Sequence, residues 1–90
     1  MTTAQKESIG ARIVAARRRT GMSQRALANA LSERTGVDSE SIRRSLVNNE
    51  QGKFAPRVRT LEAIAEITEQ PVSFFLGLPE GDDAPFQDAA

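Results

Sequence analysis

The stretch Gly21-Met22-Ser23-Gln24-Arg25-Ala26-Leu27-Ala28, followed by Ile42-Arg43-Arg44-Ser45-Leu46-Val47-Asn48-Asn49-Glu50-Gln51-Gly52-Lys53, decides the reading of this chain. The first block reads as a tight turn, a helix start capped by Ser23 and a short apolar stripe. In the second, Ile42 and Leu46 stand four apart and stack on one helix face. At about 100° per residue, Arg43, Arg44, Val47 and Asn48 point away from that face. Gly52 then breaks the helix, and Lys53 follows. Arg is the commonest specific reader of guanine, and Asn pairs naturally with adenine. A helix with those side chains outward is suited to the major groove.

Working outward, the pattern is helical throughout, with no period-2 stretch and no repeat. Ile9, Ile13 and Ala16 predict a first helix over about 5–19, stopped at Gly21. Leu27, Ala30 and Leu31 form the stripe of a second helix, which runs from Ser23 to about Arg34 and closes at Thr35-Gly36. Asp38 or Ser39 caps a third helix running to about Asn49. A fourth, after Pro56, carries Leu61, Ile64, Ala65 and Thr68 on one face, with Ile67 at its border. Pro71 suits the start of a short fifth helix, Val72 to Leu76, which ends at Gly77 and Pro79. These residues form one domain, 1–78. The Gly, Pro and acid composition of 79–90 predicts a disordered acidic tail or the start of a linker.

The 90-residue chain is 39% apolar, enough for one small core. It has no Cys and no His, which removes disulfides and argues against a zinc site, so neither metal nor cofactor is expected. No apolar run reaches membrane-spanning length and no signal-peptide core is present, so a soluble, intracellular setting with no membrane partner is expected. The formal net charge of zero conceals a split. All 12 Lys and Arg lie between Lys6 and Arg59; with five acids they leave residues 1–60 at +7, while 61–90 carry seven acids and no base, at −7. Chance clustering of solvated charge would explain this blandly. A positive half holding the groove-suited helix fits a polyanion partner, double-stranded DNA. No enzyme is expected: Ser residues have no base beside them, and no phosphate loop or acidic metal cluster appears.

The landmarks resemble the Cro and phage-repressor (XRE-type) family of helix-turn-helix proteins. The residues that carry the likeness are Arg17; Ser23-Gln24 with Leu27-Ala28; Leu46, Glu50, Gly52 and Lys53; Pro56, Thr60-Leu61 and Ile64-Ala65; and Val72-Ser73 with Phe75-Leu76. The resemblance covers residues 9 to 77 and implies an all-α, five-helix, lambda-repressor-like helix-turn-helix domain in a cytoplasmic, bacterial or phage-like and nucleoid-associated setting. It implies base contacts from Arg43, Arg44, Val47 and Asn48, with Val47 near a thymine methyl. Ser45 and Lys53 would touch DNA backbone, and Gln24 would touch a phosphate or support the reading helix. Arg17 and Glu50 would form a buried ion pair.

Two features depart from the family pattern. Ser23 and Glu50 lie 27 positions apart, roughly eight more than a tight helix-turn-helix needs. The extra length falls within 32–41, as a longer second helix or a loop, and leaves the start of helix three open over 37–42. Asn49 stands where the family is usually apolar, as a helix-end hydrogen-bonder or as a sign of another register.

Arg57 and Arg59, beyond Gly52, would join Lys53 in anchoring phosphates. Arg43-Arg44 as ordinary helix surface, Asn48 as a fraying residue and Arg18-Arg19 as dipole partners at a helix end are the bland alternatives. Phe74 and Phe75 are neighbours about 100° apart. One ring therefore packs inside, and the other is left for a partner, most simply a second copy. The function so predicted is sequence-specific transcriptional regulation by a DNA-bound homodimer, most simply repression. Activation through polymerase contact and an antitoxin repressing its own operon use the same surfaces. A protein-interaction module, binding a partner protein through helix five and the acidic tail, is the alternative from another class. Non-specific architectural DNA binding is a third.

Overall fold

A computed structural model describes residues 2–77; the acidic segment over 79–90 lies outside them. Five helices follow one another: α1 (Thr3–Arg19), α2 (Gln24–Thr35), α3 (Ser39–Glu50), α4 (Val58–Thr68) and α5 (Val72–Leu76). No strand occurs among the described residues. Over the described residues the protein is an all-α, five-helix domain.

Local chemistry sets the ends. α1 begins two residues earlier than its apolar pattern suggests, because Thr2 and Gln5 form a reciprocal capping box. Ser23 caps α2 by accepting the Ala26 amide at 3.0 Å. α2 closes on Gly36, whose amide donates to the Ser32 carbonyl at 2.8 Å. Asp38 then caps α3 by accepting the Ser41 amide at 2.9 Å. The additional residues between Ser23 and Glu50 therefore lie in the helices. α2 and α3 are each 12 residues long, and only Gly36, Val37 and Asp38 join them.

One apolar core is built from every helix: Ile9, Ile13 and Ala16 of α1, Leu27 and Leu31 of α2, Leu46 of α3, Leu61, Ile64 and Ala65 of α4, and Phe75 of α5. In α2 the small residue that buries is Ala28, in line with Leu31 at i+3, while Ala30 is half-buried. Ile42 packs against the core from its edge. Thr68 is buried and satisfies its hydroxyl by donating to the Ile64 carbonyl at 2.7 Å. Among the described residues no buried side-chain N or O lacks a partner. No described helix is long and apolar enough to cross a membrane.

Candidate nucleic-acid interface

Two contacts set the position of α3. The first is backbone on backbone. Gly10 lets α1 pass directly over the last turn of α3, where a Cβ would stand 2.7 Å from the Glu50 carbonyl oxygen. Just beyond, Gly52 holds φ +79° and is itself covered by Glu7, whose Cγ would lie 2.8 Å from an added Cβ. Gly satisfies both the left-handed turn and the close approach.

The second contact is an ionic knot. Arg17 donates to Glu50 through Nε at 2.8 Å and Nη2 at 3.0 Å, and its Nη1 donates to the Met22 carbonyl at 3.1 Å. Gln24 Nε2 adds a further bond to Glu50 Oε1 at 2.8 Å. The side chains of Arg17 and Glu50 are 12% and 6% exposed. One carboxylate thus ties together the end of α1, the start of α2 and the end of α3. Gln24 supports α3 through this bond. Asn49, buried beside it, acts as a helix-end hydrogen-bonder: its Nδ2 donates to the Phe54 carbonyl at 2.9 Å and holds the segment after α3.

With Leu46 directed into the core, the helical repeat turns Glu40, Ser41, Arg44, Val47 and Asn48 outward, with Arg43 and Ser45 on the two flanks. Arg44 and Ser45 are exposed; Arg43, Val47 and Asn48 are half-buried. Arg44 Nη2 donates to Ser41 Oγ at 3.3 Å. Arg43 bends back one turn and donates to Glu40 Oε2 from Nη2 at 2.9 Å and Nε at 3.2 Å. That bond, with the charges of Arg43, Arg25 and Arg44, holds the Glu40 carboxyl below its ordinary range, and it raises Arg43 further above its own. The Asp38 carboxyl is also lowered, chiefly by the Ser41 amide that it accepts.

The flanks differ. On one, Arg43 shares a shallow hollow with Ser23, Gln24 and Arg25 at the start of α2. On the other, Ser45 and Asn48 line a cleft of about 480 Å³ closed by Val37, Phe54 and Arg57. Lys53 is exposed beyond the end of α3. Arg57 borders both this cleft and a neighbouring hollow, which it shares with Arg59, Arg34, Glu62 and Glu66 and where Arg34 pairs with Glu66. Ser45, Asn48 and Arg57 therefore share one cleft, Arg43 lines the hollow on the opposite flank, and Arg57 continues the cleft towards Arg59.

Three participants had no place in the sequence reading. Glu40 was legible as an i, i+3 partner of Arg43. Arg25 follows an N-cap without any periodic signal. Phe54 is 62% exposed, and only its position after Gly52-Lys53 hinted at a surface role.

On α5, Phe75 is the buried ring. Phe74 meets it edge to face, with centroids 5.2 Å apart. Phe74 is half-buried: the Arg12 guanidinium lies 5.4 Å from its ring centroid, and Arg12 Nη1 donates to its carbonyl at 3.0 Å. Leu76 is the exposed apolar side chain of this helix, at 42%.

Among the described residues no group of three or more acidic, His or Cys side chains could hold a metal ion. Comparison with family models, curated proteins and solved structures returned no match.

Proposed function

We propose that this domain is a sequence-specific DNA-binding transcriptional regulator that lays α3 in the major groove. The observation that carries this reading is the pairing of a rigidly held helix with an outward face of Arg44, Asn48, Ser41 and Val47. Positioned donors on a fixed helix are what base readout requires. Arg43 flanks that face, while Lys53 and Arg57 suit phosphates on its border. The +7 balance of residues 1–60 supports a polyanion partner. The resemblance to the Cro and phage-repressor family supports the same docking.

On this reading the protein works without a cofactor or chemical step, in the cytoplasm, as a homodimer on a two-fold site. Repression by occupancy is its simplest action. Leu76 and the uncovered part of Phe74 offer the apolar contact between copies. The same exposed Leu76 also favours a second reading, in which α5 docks a partner protein.

Selection of bound sequences from a random duplex library, followed by titration against salt, tests the proposal. The expected result is an enriched two-fold motif with affinity that falls steeply as salt rises. Absence of binding to any duplex at low salt would overturn it.

A further inference from the structure

Glu40 is an unusual residue for this surface. It is the second residue of α3, on the outward arc, with half of its side chain exposed. A recognition helix contacts base edges mainly through its N-terminal residues. A carboxylate there faces a polyanion and repels it, so it weakens binding to DNA in general. An acid in the first turn does suit the helix dipole. Asp38, two positions earlier, already supplies that charge and caps the helix as well. The dipole alone therefore gives little reason for a second acid on the reading arc.

The local chemistry supplies another reason. Both bonds from Arg43 end on one oxygen of Glu40, Oε2, which leaves Oε1 open to a further donor. Arg43 above all, with Arg25 and Arg44, favours the ionised form of this carboxylate. Of the two amines that the major groove presents, cytosine N4 and adenine N6, the characteristic partner of a carboxylate is cytosine N4, while Arg donates to guanine O6 and N7. An acceptor and a donor fixed side by side, three residues apart on one helix, complement a cytosine amine next to a guanine.

Resting on the DNA-binding reading above, we infer that Glu40 is a specificity-determining residue: with Arg43 beside it, its carboxylate reads a cytosine adjacent to a guanine and penalises every site that lacks that amine. The pair works in two directions. On the matching site the amine offsets the loss of carboxylate hydration. Elsewhere the charge is left against phosphates with no donor, so discrimination rises while average affinity falls.

The test compares the full chain with Glu40→Gln, which keeps shape and removes charge, by selection from a random duplex library and titration of selected and random duplexes. Circular dichroism checks that both proteins are folded. Wild type should enrich one cytosine beside a guanine in each half-site. In E40Q that cytosine preference should fall by about tenfold, and random duplexes should bind more tightly. An unchanged cytosine preference in E40Q overturns the inference and leaves the DNA-binding reading standing, as does enrichment by wild type of adenine in place of cytosine. Failure of wild type to bind any duplex overturns both.

Discussion

Gly10 and Glu50 meet backbone to backbone: a Cβ on Gly10 would lie 2.7 Å from the Glu50 carbonyl oxygen, so α1 and the end of α3 touch with nothing between them. In an exposed helix Gly→Ala gains about 1 kcal/mol. Here the added methyl meets rigid backbone, and overpacking of this kind costs about 1–3 kcal/mol. Gly10→Ala should therefore lower the thermal midpoint. It should also weaken DNA binding in the folded fraction, because α3 must shift to make room. An unchanged or raised midpoint would show that the helices separate freely at this point.

The Arg17–Glu50 pair should show strong coupling. Removing one partner of a buried pair leaves an uncompensated charge and costs about 3–5 kcal/mol. Arg17→Met and Glu50→Leu, made singly, should each approach that loss. Arg17→Met combined with Glu50→Leu should recover most of it, since apolar replacements of similar volume spare both desolvation penalties. Urea denaturation of the four proteins of this cycle measures the coupling; additive single losses would refute it.

Roles on the reading face should separate by sequence dependence. Arg44→Ala should cost about 1–3 kcal/mol on the preferred site and relax base choice, with little change on random DNA. Lys53→Ala should weaken all duplexes alike and flatten the log–log salt slope by about 0.9. Equal behaviour of the two variants in filter-binding titrations would show that the assignments are wrong.

Acid should loosen the start of α3. The Asp38 carboxyl is lowered from its ordinary 3.8 and the Glu40 carboxyl from its ordinary 4.5. Groups depressed in the folded state contribute stability that is present above those unfolded values and lost as pH falls through the folded ones. The loss should therefore begin below about pH 4.5 and deepen below 3.8. Asp38→Asn keeps a capping oxygen but no longer titrates. Its acid-unfolding curve should be shallower than that of wild type in this window; coincident slopes would exclude Asp38 as a contributor.

The two neighbouring Phe residues should respond differently. Phe75→Ala removes a fully buried ring and should cost about 3–5 kcal/mol. Phe74→Ala loses a half-buried ring and its Arg12 contact, so the fold should survive with a smaller loss. Sedimentation on a full two-fold site then reports assembly: F74A should lower occupancy by the second copy. Two bound copies with undiminished affinity would move the contact to Leu76 or elsewhere.

Local signals made most element ends legible. Ser23, Gly36, Val72 and Leu76 lie at or next to the boundaries that capping and turn chemistry indicate, and the choice between Asp38 and Ser39 falls to Asp38, whose carboxylate reaches the Ser41 amide. The additional length between Ser23 and Glu50 could not be assigned from composition, because Ser32 to Ser41 suits either a longer helix or a loop. The structure adds it to the helices. Long-range contacts were less visible. The Arg12 cover on Phe74 spans 62 positions, and no periodicity announces it. Gly10 likewise looks like a weak helix residue until α3 is laid across it. The choice of Ala28 over Ala30 depends on a helix rotation of a fraction of a turn, finer than the apolar spacing resolves.

The knot around Glu50 has a consequence for how such a surface changes over time. α3 is gripped by its inner side and its C-terminal end, while Arg44, Ser45 and the exposed half of Glu40 hold nothing in the core. Surface substitutions of that kind usually alter folding by no more than about 0.5 kcal/mol. The outward letters of the helix can therefore be reset one at a time while the block that carries them stays locked. A lineage with this frame could move to a new target through single replacements without ever passing through an unfolded ancestor.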